Sequence, residues 1–146
     1  CRIVLWEYYA KWKGDVAAEM YRVPISKTLK KERGVKSSYI LIEDNDPSGY
    51  KSSKAMAEKR RLHIRAFPWP RYSPDMMPFD FSLWACISKR VRESAPRGRE
   101  SVASFKARLR RVALGTPSAV VRAAVEAMRS RARMIADAKG KDIARD

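Results

Sequence analysis

Hydrophobic and polar positions switch between two periods along this chain, and the switches outline its elements. Residues Ile3 to Tyr9, "IVLWEYY", are β-branched and aromatic and predict a strand. From Asp15 to Lys31, "DVAAEMYRVPISKTLKK" carries Val16, Met20, Ile25 and Leu29 at helical spacing, with Pro24 expected to kink or split the helix. "SYILIED" is a short, nearly continuous apolar run bounded by "RGVKS" and "NDPSG". It predicts a central strand covered on both faces. "GYKSSKAMAEKRR" predicts a short basic helix, and "LHIRAF" alternates like a strand with one solvated face. Strand, helix, strand, helix, strand is the order of an α/β unit with a parallel or mixed sheet.

Beyond this the pattern is helical. "PWPRYSPDMMP" holds four prolines and no period, so it reads as an ordered, turn-rich loop. In "FDFSLWACISKRVRES" Trp84, Ile87 and Val91 form a stripe. "SVASFKARLRRVAL" repeats the plan with Val102, Phe105, Leu109 and Val112, and Gly115 closes it. A last helix is expected from Thr116, with Pro117 in the favoured first position and a stripe of Val121, Val125, Met128, Ala132 and Ile135. No internal repeat, low-complexity tract or flexible linker interrupts the chain. One domain over 1–146 is the economical reading, with a strand-helix core over 1–95 and C-terminal helices over 99–140.

Charge changes the picture. Lys plus Arg number 32 against 16 Asp plus Glu, a net charge of +16 over 146 residues, the balance of a chain that meets polyphosphate. Nucleic acid is the leading partner. No apolar run reaches the roughly 18 residues of a spanning helix, and the start "CRIVLWEYYAKWK" lacks a signal peptide's layout, so no membrane partner is expected. Cys1 and Cys86 are too few and too distant for a disulfide framework or a thiolate zinc site and read as free thiols in a reducing, intracellular compartment.

Against this basic background the most hydrophobic segment ends on Glu43, Asp44 and Asp46. Local sequence does not separate a polar turn from a carboxylate site for a metal ion. Asp44 would stand at the carboxyl end of the buried strand, where open α/β sheets gather ligand-facing groups. Asp80 shares a helical face with positions 84, 87 and 91 and is expected to point toward the sheet, a costly place for a carboxylate without a neutralising partner. Converging, the two would suit Mg²⁺ and the two-metal chemistry of phosphodiesters. Alone, Asp80 is a first-turn acid favoured by the helix dipole, and Asp75 reads as a loop or cap residue. His63, the single histidine, reads as structural. Glu7 ranks below both aspartates. No Gly-rich phosphate loop, nucleophile elbow or Cys/His metal spacing is present.

"ILIEDNDPSGYKSSKAM" followed by "IRAFPWPRYSPDMMPFDFSLWACISKRVRES" resembles the catalytic core of mariner-superfamily DDE transposases. In that family a strand ends in Asp-Asn-Xaa-Pro, matched by Asp44, Asn45, Asp46 and Pro47. A Trp-Pro and Ser-Pro-Asp loop comes later, matched by Trp69-Pro70 and Ser73-Pro74-Asp75. An acid then opens a helix with a Leu-Trp pair, matched by Asp80 and Leu83-Trp84. Between Asp44 and Asp80 lie 35 residues, close to the family's spacing of its second and third acids. Met77 stands where Asn is usual, and Gly49 where His is frequent.

The resemblance implies a ribonuclease-H-like α/β fold, a mixed sheet with flanking helices, and two Mg²⁺ or Mn²⁺ ions that cut DNA and join the freed 3′ hydroxyl to a target. Asp44 and Asp80 would be the second and third metal ligands. The first acid lies in the family upstream of the segment that "IVLWEYY" resembles, so the first strands are expected to be missing and these 146 residues alone to be weak or inactive.

DNA contact does not depend on the triad. Lys51, Lys54, Arg60 and Arg61 form one group of candidate phosphate contacts, and Lys89, Arg90 and Arg92 another. Arg71, with Trp69 and Tyr72 beside it, would clamp or stack a strand end unless the loop is merely packed. The expected partners are transposon-end and target DNA, with a homodimer allowed. The expected place is the nucleus in a eukaryote and the chromosome otherwise. The alternative function is a non-catalytic basic DNA-binding remnant or a repurposed transposase module.

Overall fold

The computed structural model describes residues 3–33, 39–43, 46–70, 73–141 and 143. The chain divides into two compact units, Trp6–Tyr72 and a second made of Cys1–Leu5 with Ser73–Asp146.

In the first unit, α1 (Gly14–Met20) runs through a π-helical turn (Tyr21–Ile25) into α2 (Ser26–Arg33). The wide turn contains Pro24, whose ring lacks an N–H and would clash in a regular helix. The Pro24 carbonyl instead accepts the Thr28 hydroxyl at 2.8 Å, so the break expected at Pro24 takes the form of a local widening. Strand β1 (Tyr39–Leu41) pairs in parallel with β2 (Ile64–Ala66), Tyr39 opposite Ile64 and Leu41 opposite Ala66. Helix α3 (Ser53–Arg61) makes the crossover, capped by the Ser52 hydroxyl, which accepts the Ala55 N–H at 3.2 Å. Ala17, Tyr21, Ala55 and Ile64 form the core between α1, α3 and the sheet.

Three expectations change here. "IVLWEYY" forms no strand. Ile3 and Leu5 pack in the second unit, while Trp6, Tyr8 and Trp12 continue as a run of ring contacts to Tyr50 at centroid spacings of 5.1–5.6 Å. β-propensity records a fit to a half-buried surface, and here the rings find other rings. Nor is β1 covered on both faces. Tyr39, Leu41 and Glu43 face the core, whereas Ile40 is 65% and Ile42 38% exposed. His63 lies in the turn before β2, not in the strand, with φ of 54° and its carbonyl accepting the Tyr39 N–H at 3.1 Å.

The second unit is helical. A π-helical turn (Phe79–Leu83) leads into α4 (Trp84–Glu93), followed by α5 (Val102–Leu114) and α6 (Ser118–Asp137). Its core is Ile3, Leu83, Ile87, Val112, Ala113, Val121 and Ala124. The expected stripes hold in part: Ile87, Val112 and Val121 are buried, whereas Trp84, Val102, Phe105 and Val125 are exposed. Leu83, not Trp84, joins Ile87 in this core. Gly115 ends α5 with φ of −82°, so the stop does not use the left-handed conformation that favours glycine. Pro117 is the N-cap of α6 rather than its first turn.

Buried cations tie these elements together. Arg108 is bidentate to Glu100, with Nε to Oε1 at 3.0 Å, and its Nη1 also donates to the Val91 carbonyl at the end of α4. In the first unit Lys59, 2% exposed, donates to Glu43 Oε1 and, at 3.0 Å, to the Tyr50 carbonyl; the Tyr21 hydroxyl donates to Glu43 Oε2 at 2.5 Å. Removing one member of such a pair strands the other in low dielectric. Lys59→Met is therefore expected to destabilise this unit by about 3–5 kcal/mol, and Lys59→Met with Glu43→Leu by much less. Urea unfolding of both variants checks this; equal losses would show that the pair is not the reason for the cost.

Candidate active site

Glu43, Asp44 and Asp46 meet separate fates after β1. Glu43 turns inward to Lys59 and Tyr21. Asp46 closes a turn: Oδ1 accepts the Ser48 N–H at 2.9 Å, and the Ser48 hydroxyl donates to both carboxylate oxygens at 2.8 and 2.9 Å. The Ser48 backbone N–H, then its hydroxyl, hold the Asp46 carboxyl below its ordinary pKa. The polar-turn reading thus accounts for Asp46. Asp44 and Asn45, with Arg71 and Tyr72, lie outside the described residues.

Gly49, which departs from the family's frequent His, has a packing reason: a Cβ there would come within 2.4 Å of Trp12 Nε1.

The Ser-Pro-Asp loop is a built turn. Met76 N–H donates to the Ser73 carbonyl at 3.2 Å and Met77 N–H to the Pro74 carbonyl at 3.3 Å; the Met77 carbonyl accepts from Asp80 at 2.9 Å and Phe81 at 3.1 Å. This delivers Asp80 to the first turn of the π-helical segment. Asp80 does not point inward as its helical phase implied; it is exposed, on the side of Trp84 rather than of Leu83 and Ile87. A regular α-helix would have put positions 80 and 87 on one face, and the extra residue in the π turn rotates Asp80 off it.

Asp75 is half-buried, and its carbonyl accepts the Arg131 Nε at 2.5 Å. Arg131 lies on α6, 8% exposed, with its guanidinium carbon 4.5 Å from the Phe81 ring centroid. Periodicity marked Ala132 in its place, because a buried arginine has no signal in a hydrophobic pattern. Trp69 is buried, edge-on to Phe67 at 6.3 Å, which fits packing better than strand stacking. No group of three or more His, Cys, Asp or Glu able to hold a metal occurs among the described residues.

Of the expected phosphate contacts, Lys51, Arg60, Lys89 and Arg92 are exposed. Lys54 and Arg61 are exposed too, and are paired with Asp15 and with Glu58 (2.7 Å). Arg90 is engaged at the end of α5, where Nη1 donates to the Val112 and Gly115 carbonyls at 3.3 Å. Among the described residues, no helix is long and apolar enough to cross a membrane.

The fold is similar to that of a solved transposase catalytic domain. The chain superposes on the crystal structure of the catalytic domain of Mos1 mariner transposase with a TM-score of 0.78 at 18% identity, over 92% of this chain and 66% of that one. Two further structures of that domain, with Raltegravir and Mn or Mg, match with TM-scores of 0.77 over 92% of this chain and 67% of each. In sequence the chain is similar to two transposases. It is 31% identical to the transposable element Tcb2 transposase and 28% to the Tcb1 transposase of Caenorhabditis briggsae, each over 104 residues, 70% of this chain. It spans about a third (36%) of the length of both relatives. No protein-family model matches it.

Because the Asp46 pKa is lowered on folding, its ionised form contributes stability that is complete above the ordinary carboxylate range, about pH 4, and is lost as pH falls through the lowered value. Asp46→Asn keeps an acceptor for Ser48 but removes the titration. Its melting temperature should lie below the parent's near pH 7, where the ionised form contributes fully, and approach the parent's as pH falls below about 4. Parallel curves at all pH values would assign the acid lability elsewhere.

Proposed function

We propose that this chain is catalytic-domain sequence of a DNA transposase, in which Asp44 and Asp80 bind a divalent metal ion for phosphodiester cleavage and strand transfer. The observation that carries the reading is the joint one. The Asp44-Asn45-Asp46-Pro47 motif follows the first paired strand, and the Ser73-Pro74-Asp75 turn sets Asp80 at a helix start, in a chain whose fold matches a mariner catalytic domain. The exposure of Asp80 suits a group that must meet an ion and a phosphate, and π turns recur at functional sites.

Carboxylate oxygens fit Mg²⁺ and Mn²⁺, which would activate the attacking oxygen and steady the leaving one. The partner is DNA, transposon end and target, gripped through phosphates by Lys51, Arg60, Lys89 and Arg92 with Lys54 and Arg61 beside them. Arg71, Asn45 and Trp69 belong to the same motif segments. With that partner the proposed location is the nucleus in a eukaryote and the chromosome otherwise, and a homodimer is allowed.

A longer form that includes upstream sequence should nick supercoiled DNA with Mn²⁺, and Asp44→Ala or Asp80→Ala should each lower the rate on the order of a hundredfold or more. Equal nicking by all three would leave the basic DNA-binding module as the function. Binding of the 146-residue chain to duplex DNA should weaken steeply with salt. Lys89→Ala with Arg92→Ala should flatten the log–log slope by about 2, whereas Arg90→Ala should act mainly on stability. A slope near zero in the parent would remove DNA contact.

A further inference from the structure

Arg131 is the least explained charge among the described residues. It is more than nine-tenths buried, it pairs with no carboxylate among the described residues, and its Nη2 is buried without a hydrogen-bond acceptor. Elsewhere the buried cations are answered, Lys59 by Glu43 and Arg108 by Glu100. Leaving a guanidinium half-satisfied out of water costs free energy that an apolar side chain of similar length would not.

What Arg131 does hold is specific. Nε donates to the Asp75 carbonyl at 2.5 Å, and the guanidinium carbon lies 4.5 Å from the Phe81 ring centroid. Asp75 and Phe81 stand on either side of Asp80. One side chain from α6, 56 residues beyond Asp75, therefore grips the turn before Asp80 and the ring after it. The backbone alone closes this segment through Met77, whose carbonyl is shared by the Asp80 and Phe81 N–H groups. A planar cation that stacks and donates together adds orientation as well as attachment.

We propose that Arg131 is a positioning residue for Asp80, kept at a cost to stability because it fixes where the carboxylate presents itself to a metal ion. The proposal rests on Asp80 being a metal ligand. Groups that orient a metal-binding residue typically change metal affinity by about 10–100-fold when removed.

The test uses the 146-residue chain and Mn²⁺ alone, read by paramagnetic broadening of backbone amide signals from residues 79 to 83, with thermal unfolding alongside. In the parent these amides should broaden on Mn²⁺ addition, and Asp80→Asn should abolish the effect. Arg131→Met should need roughly tenfold more Mn²⁺ while its melting temperature stays equal or rises. Arg131→Lys, which retains a donor for the Asp75 carbonyl but not the stacked plane, should fall between.

If Asp80→Asn broadens like the parent, the metal-ligand reading fails. If Asp80→Asn is silent but Arg131→Met and Arg131→Lys both match the parent, the positioning role fails and the reading stands. Weaker Mn²⁺ binding in step with a lowered melting temperature would make Arg131 an ordinary structural residue. Should Arg131→Met not fold, Arg131→Lys decides by the same two readouts.

Discussion

A charge taken out of water has to be met by an opposite charge or by oriented oxygens, and this strongly basic chain meets that demand by joining elements distant in sequence. Lys59 on α3 and Tyr21 of the first helical segment converge on Glu43, locking the end of β1 to both helices. Arg108 on α5 takes Glu100 and the last turn of α4, and Arg90 on α4 answers the exposed carbonyls of α5. The apolar clusters of each unit lie beside these polar joints, and losing one partner of a joint leaves the other charge buried and unanswered.

The same demand sorts the acids. A row of carboxylates after a hydrophobic strand looks like one site in the sequence. In the fold, Glu43 answers a buried lysine and Asp46 answers a turn, which narrows the candidate chemistry of that row to Asp44. On the helical side, Asp75 is half-buried while Asp80 is exposed to solvent. Fold likeness to the Mos1 catalytic domain and sequence likeness to the Tcb1 and Tcb2 transposases fall on a chain that carries both motif segments in order.

Several elements were legible without coordinates. The parallel β1–α3–β2 unit, the break at Pro24, the Ser-Pro-Asp turn and three C-terminal helices all follow from local rules, because proline geometry, capping and periodicity act over a few residues. Misreadings occurred where distant partners decide. "IVLWEYY" has strand composition, yet Ile3 is drawn into one unit while Trp6 and Tyr8 stack in the other. Trp84 and Phe105 lie on predicted stripes but reach no core, since a stripe records one helix's period and not the extent of its neighbour.

By itself the sequence determined a surplus of sixteen positive charges, on which the proposed DNA partner rests, and the identity and order of the motif acids, through spacing along the chain. Tertiary structure alone decided which charges are used internally and which face solvent. Arg90, Arg108 and Arg131 look in the sequence like Arg92 or Arg110, and only packing tells them apart, because the energy of a charge depends on what surrounds it and not on where it falls along the polymer. It also turned Asp80 outward, since one extra residue in a helical turn rotates everything before it, and no hydrophobic period records that residue.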